Sequence, residues 1–150
     1  MRPDLDLNSD LSADQRAEAQ ARLLEGSHGA SSPQEVIALS TRELFDGGIA
    51  VVSSFGAESA VLLHMISEID PATPVLFLDT GKHFRATLDY RHDLVDRLGL
   101  LDVQDILPLE ENVKADDPFG ALSMTDKDRC CFIRKVEPMA RAVAPYRAWM

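Results

Sequence analysis

Two short apolar runs flanking one amphipathic segment constrain this chain more than any other feature. Ile49-Ala50-Val51-Val52-Ser53 is a β-branched run, Glu58 to Ile69 places Val61, Leu62, Met65, Ile66 and Ile69 at helical spacing, and Val75-Leu76-Phe77-Leu78 is apolar throughout. Solid runs, rather than alternating ones, belong to strands covered on both faces. Strand, helix and strand within roughly thirty residues make a βαβ unit, because parallel neighbours need a crossover that a helix supplies. The chain is therefore expected to be an α/β protein with a parallel sheet.

The flanking sequence extends this pattern. Ser12-Ala13-Asp14 opens a helix expected to reach about Leu24, and Gly26 to Ser31 reads as a small-residue linker. Ser32-Pro33-Gln34-Glu35 combines a capping-box pattern with proline at the first helical position, predicting a helix from Pro33 to Phe45 that Gly47-Gly48 ends. Thr87 to Leu98 is the next helix, stopped by Gly99, and Asp102 to Leu107 reads as a third strand. Pro108 to Ser123 is expected to be mostly loop with one short helix. Asp128 to about Val143 reads as helical, with Pro138 forcing a kink or a restart. Tyr146 to Met150 has strand composition. A parallel strand that starts so near the last residue has nothing after it to cover its face, so the natural chain is expected to continue beyond Met150. The domains expected are an N-terminal helical segment over 1–46 and a nucleotide-binding α/β domain, incomplete, over 47–150.

Charge narrows the partners. The formal net charge is −10, yet residues 127 to 150 hold six Lys or Arg against Asp128 and Glu137. That local excess of cations points to a bound anion, while the acidity of the remaining surface argues against a nucleic-acid track. No signal-like h-region and no membrane-length apolar stretch is present, so the expected setting is cytoplasmic, without a membrane partner.

Ligands of open parallel sheets bind beyond the carboxyl ends of the strands. Two loops fall there. Ser53-Ser54-Phe55-Gly56-Ala57-Glu58-Ser59 offers hydroxyls, a glycine and a helix start, which suits phosphate or sulfate as well as it suits a plain capped turn. It lacks the lysine and second glycine of a Walker loop. Leu78-Asp79-Thr80-Gly81-Lys82-His83-Phe84 follows the second run. There Asp79 can accept from a ribose or purine amine, Gly81 allows close approach of backbone, and Lys82 can meet an anion. His83 has no nameable partner, and like His28, His64 and His92 it reads more readily as structural.

Cys130-Cys131, the only cysteines, are adjacent. Neighbouring Cα atoms lie ~3.8 Å apart across a trans peptide, short of the roughly 4.4 Å that an ordinary disulfide needs. Adjacent thiolates also wrap a single zinc poorly, whereas a polynuclear iron-sulfur cluster can give each its own iron. From the pair alone, two packed residues on a helix turn stand level with a cluster. Arg134 and Lys135 nearby would favour thiolates and an anionic cluster.

Together, SSFGAES at 53–59, LDTGKHF at 78–84 and DRCCFIRKVEP at 128–138 resemble the adenylylsulfate reductase branch of the PP-loop superfamily, over about Gly48 to Met150. The resemblance implies a doubly wound, adenine-nucleotide α-hydrolase-like fold. It implies that Ser53, Ser54, Phe55, Gly56 and Ser59 hold the sulfuryl and phosphate end of adenylylsulfate or phosphoadenylylsulfate, with Asp79, Thr80 and Gly81 as the second wall. Cys130 and Cys131 become two of four ligands of a 4Fe-4S cluster, and Lys135 links cluster and substrate electrostatically. Members reduce the activated sulfate to sulfite and AMP: a cysteine takes the sulfur as an S-sulfocysteine, which thioredoxin or glutaredoxin then resolves. A homo-oligomer is compatible with the resemblance. The chain departs from the family in lacking a second cysteine pair, an arginine-rich segment and the terminal nucleophilic cysteine, and in carrying Arg85-Ala86 where many relatives have Pro-Glu. It therefore reads as the N-terminal part of such a reductase, inactive alone, with the nucleophile beyond Met150. The competing readings are another PP-loop enzyme that uses ATP to adenylate or thiolate, including the small subunit of sulfate adenylyltransferase, and a non-catalytic nucleotide-binding or thiol redox-sensing module.

Overall fold

The computed structural model describes residues 12–150, and residues 1–11 of the N-terminal segment lie outside the described residues. By contacts the chain divides between Val36 and Ile37 into two units.

In the first unit, α1 (Ala13–His28) opens on a complete capping box in which Ser12 and Gln15 bond each other's backbone N–H groups. It runs on through Gly26, so the linker expected at Gly26 to Ser31 shrinks to the turn that begins at Gly29, whose N–H donates to the Glu25 carbonyl at 2.8 Å. A helix-interior glycine costs only about 1 kcal/mol, which one further turn of hydrogen bonds offsets. The box predicted at Ser32 also forms: Glu35 takes the Ser32 N–H at 2.7 Å and returns its own N–H to the Ser32 hydroxyl. These bonds hold the Glu35 carboxyl below its ordinary value.

The helix that Ser32 caps, α2 (Pro33–Leu39), continues as a π-helical turn over Ser40–Leu44 and so ends one residue before Phe45. Ile37 is buried in the same cluster as Val51 and Leu63, which joins residues 37–46 to the sheet unit. There follow β1 (Ile49–Val52), α3 (Ala57–Ile69), β2 (Val75–Leu78), α4 (Arg85–Leu98) and β3 (Val103–Ile106). The stretch expected to be mostly loop holds two helices, α5 (Glu110–Asp116) and the single turn α6 (Leu122–Thr125). Next come α7 (Lys127–Cys131), a π-helical turn over Phe132–Val136, α8 (Glu137–Val143) and β4 (Ala148–Trp149). Pro138 sits in the first turn of α8, where its missing N–H is least costly, so the helix restarts rather than breaks.

All four strands are parallel in the order β3-β2-β1-β4. Val51 pairs with Val75, Val75 with Val103, and Ile49 with Ala148. The central strands are buried because helices lie on a sheet of this kind from both sides, and Val51, Leu63, Ile66, Val75 and Phe77 form its core. The chain builds outward from β1 to β3 and then returns to the opposite side of β1. That reversal is the switch point of a doubly wound sheet, and it opens a crevice beyond the carboxyl end of β1. Among the described residues, no helix is long and apolar enough to cross a membrane.

Candidate functional site

The turn after β1 is shaped from below. Ser53 is buried, its N–H donates to the Leu76 carbonyl at 3.0 Å, and its hydroxyl accepts from the Phe55 N–H at 3.0 Å. Phe55 takes a φ of 55°, which costs a non-glycine residue about 1–2 kcal/mol. Burial of its ring edge-on to Phe77, at 5.6 Å between centroids, offsets that cost. Phe55 thus contributes its ring to the core and its N–H to Ser53, and shapes the turn rather than facing the crevice. Above it Ser54 and Gly56 are exposed and Ser59 is half-buried. Gly56 caps α3 without a side-chain hydrogen bond, so the first-turn N–H groups of α3 keep their capacity for an anion.

The turn after β2 is held by its own side chains. Asp79 Oδ1 accepts from the Gly81 N–H at 2.9 Å, Thr80 Oγ1 accepts from the Lys82 N–H at 3.2 Å, and Gly81 has a φ of 68°. The His83 ring lies 5.0 Å from that of Phe77, and its Nε2 meets the Leu78 carbonyl at 3.0 Å, donating a proton to it. The histidine is therefore a brace for the turn.

Asp126 caps α7 by accepting the Arg129 N–H at 2.9 Å, and the helix presents Cys130 half-buried and Cys131 exposed. Arg134, expected to serve the thiols as a cation, is committed elsewhere. It is buried, donates through Nη1 to the Thr80 carbonyl at 2.7 Å and pairs through Nη2 with Asp117 at 2.6 Å. Asp117 also accepts from the Leu122 N–H at 2.9 Å and has Lys82 Nζ at 3.7 Å. The Leu122 N–H and the Arg134 guanidinium hold its carboxyl below the ordinary value.

These elements meet in one place. A cavity of about 230 Å³ is lined by Ser53, Ser54, Leu78 and Thr80, together with His83 and Lys135. A second, of about 430 Å³, is lined by Lys82, Ser123, Lys127, Cys130 and Cys131, and shares Thr80, His83 and Lys135 with the first. Gly56, Ser59, Asp79 and Gly81 shape the turns without lining either cavity. Lys82, Arg129 and Arg134 are matched to Asp117 or Asp116, whereas Lys127 and Lys135 have no carboxylate partner among the described residues. Ser123, Lys127 and Asp117 were not singled out from the sequence. Lys127 was legible in principle, three and four residues before the cysteines and hence on their helical face; Asp117 lies in a connecting segment without periodicity.

Cys130 and Cys131 fit half of a four-thiolate set. The sequence contains no third cysteine, and no group of three or more His, Cys, Asp or Glu side chains able to hold a metal lies among the described residues.

A doubly wound parallel sheet with an anion-ready turn at its switch point is the architecture of PP-loop nucleotide-binding proteins. The chain belongs more narrowly to the phosphoadenosine phosphosulfate reductase domain family, whose pattern matches residues 48–150. It is 55% identical over 137 residues to an adenosine 5'-phosphosulfate reductase of Mesorhizobium japonicum, covering 91% of this chain and 54% of that one. A Chelativorans protein of the same name is 50% identical, with 89% and 55% covered. A phosphoadenosine 5'-phosphosulfate reductase of Gloeobacter violaceus is 36% identical, with 79% and 49% covered. Among solved structures, phosphoadenylyl-sulfate reductase from Candida auris in a phosphate complex superposes with a TM-score of 0.60 at 26% identity, covering 88% of this chain and 62% of that one. The chain thus spans about half the length of the curated relatives it matches.

Proposed function

We propose that this chain is the nucleotide-binding part of an adenylylsulfate reductase, a cytoplasmic enzyme of sulfate assimilation. The observation that carries the reading is the shared cleft: the Ser53-Ser54 turn, the Thr80 turn and the cysteine helix converge, with Lys135 facing both cavities. Adenylylsulfate needs such a cleft, since its sulfate and phosphate demand N–H and hydroxyl donors beside a cation. The Ser54 hydroxyl and the first-turn N–H groups of α3 would bind that end, and Lys135 would offset charge appearing on the phosphate as AMP departs.

In the reaction a thiolate attacks the sulfur, the bond from sulfur to the phosphate oxygen breaks, and AMP leaves with the electron pair. A second thiol, from thioredoxin or glutaredoxin, attacks the sulfur-bound cysteine, so sulfite departs and a disulfide remains. Sulfur gains two electrons and the two thiols lose them. The nucleophile would be a thiol other than Cys130 and Cys131. A 4Fe-4S cluster, when bound, would use these two as half of its ligands and supply local charge and redox capacity beside the substrate.

Titration calorimetry of the 150-residue chain with adenylylsulfate, AMP and ATP tests the reading. Adenylylsulfate is expected to bind at least tenfold more tightly than ATP. A preference for ATP would instead mark an adenylating or thiolating enzyme, and no nucleotide binding at all would leave the redox-sensing module.

A further inference from the structure

Asp117 touches neither cavity, yet every group it binds belongs to the wall of the larger one or adjoins it. Its side chain is 1% exposed. One carboxylate oxygen accepts from the Leu122 N–H, next to Ser123; the other takes Arg134 at 2.6 Å and faces Lys82 at 3.7 Å. Arg134 in turn spans from Asp117 to the Thr80 carbonyl, so a single guanidinium ties the cysteine helix to the turn after β2. Lys82 closes the circuit by donating to the Gly120 carbonyl at 2.7 Å. Gly120 has a φ of 71°, and a Cβ there would lie 3.0 Å from Lys82 Nζ, so this turn is shaped to receive the lysine. Arg134 Nε remains buried without an acceptor, which leaves Asp117 and Thr80 as the hydrogen-bond partners of the guanidinium among the described residues.

We propose that Asp117 is a positioning residue for the nucleotide cleft. Through Arg134 it sets the distance between Thr80 and the segment formed by α7, with Cys130 and Cys131, and the π-helical turn that follows, with Lys135, and through Lys82 and Leu122 it fixes the far rim. The inference rests on the proposed reading of the cleft only for the ligand that profits from it.

Position and charge predict opposite signs for the removal of this carboxylate. As a bare negative charge near the cleft it would repel an anion, and Asp117→Asn would tighten adenylylsulfate binding. As a positioning group its loss releases Arg134, displaces Thr80 and Lys135, and weakens adenylylsulfate roughly tenfold, the scale of one charge-assisted hydrogen bond, while adenosine affinity stays within about twofold. The experiment is calorimetry of the parent chain and Asp117→Asn with adenylylsulfate and with adenosine, alongside 15N–1H spectra of both proteins free of ligand. Displaced amide signals of Thr80 and Gly81 are expected, because Asp117 holds Arg134 on the Thr80 carbonyl and faces Lys82, the neighbour of Gly81. Unmoved Thr80 and Gly81 signals overturn the proposal whatever the chain binds, as does tighter or unchanged adenylylsulfate binding where the parent binds it. A parent chain that binds no nucleotide overturns the proposed function alone, and the spectra then decide the role of Asp117. Should the asparagine variant not fold, Arg134→Lys keeps the charge but cannot bridge Asp117 and Thr80 together, and it is expected to shift the same two amides.

Discussion

Single side chains divide here into those that face the cleft and those that hold it open. Ser54 faces it: the residue is exposed and its hydroxyl has no hydrogen-bond partner among the described residues, so its removal costs the fold little. Ser54→Ala is expected to weaken adenylylsulfate binding about tenfold, the value of a charge-assisted contact, and leave the urea midpoint unchanged. Equal affinities for the variant and the parent would exclude the hydroxyl from the site. Asp117 holds the cleft open, and its depressed pKa fixes a sign. A carboxyl whose folded value lies below the unfolded one adds stability that is complete above the ordinary aspartate value of 3.8 and disappears as pH falls through the lower folded value. Lys82 and Arg134 are the charges that face it. The stability gap between the parent and Asp117→Asn, measured by urea unfolding, is therefore expected to be constant above about pH 5 and to close below about pH 4. A gap that widens with acid would contradict the assignment. At this scale the sequence was legible for types and not for roles. Ser54, Thr80 and Lys135 line the two cavities, but nothing in the local sequence says that Phe55 turns inward or that Arg134 is committed to an aspartate seventeen residues away.

The elements were more legible than their seams. β1, α3 and β2 lie within a few residues of the limits read from apolar periodicity, because a strand buried on both faces and an amphipathic crossover impose that pattern directly. The two π-helical turns, over Ser40–Leu44 and Phe132–Val136, left no such mark. A π-helical turn is defined by its i→i+5 hydrogen bonds, which no residue type announces. The second turn matters for the site, because it separates the cysteines on α7 from Pro138 on α8 and carries both Arg134 and Lys135. The β1–α3 seam depends on packing between elements. Phe55 couples them through Phe77 on β2, with the Arg91 guanidinium 5.8 and 5.2 Å from the two rings. Phe55→Ala is expected to cost about 3–5 kcal/mol in chemical denaturation, as for other buried aromatic deletions. It should also weaken adenylylsulfate binding, since the turn loses the anchor that maintains its left-handed residue. A loss below about 1 kcal/mol would mean that Ser53 alone sets the turn.

For the whole molecule, the decisive relation is between the cysteine pair and the rest of the cleft. Three stretches far apart in sequence were expected to act together, and they do meet, because the switch point brings the carboxyl end of β1 beside the return path to β4. The number of donors decides whether the cleft can hold a cluster at Cys130 and Cys131. A cluster needs four soft ligands, the chain has two thiols, and no group of three or more His, Cys, Asp or Glu side chains able to hold a metal lies among the described residues. The purified 150-residue chain is therefore expected to hold well below one cluster of iron and acid-labile sulfide per chain, and to release no sulfite with thioredoxin. In a longer protein that supplies two further cysteines, Cys130→Ser and Cys131→Ser should each remove the iron and its visible absorbance, because a hydroxyl replaces a thiolate poorly at iron. Both variants should keep the sheet core, since Cys131 is exposed and Cys130 only half-buried. Lys135→Ala separates charge from ligation: it leaves the thiols in place, so iron should be retained while adenylylsulfate turnover falls. Iron and sulfide per chain, measured with sulfite release for the three variants, decide between these roles. Full iron in both serine variants would make the pair a packed helix turn and remove the cluster from this cleft.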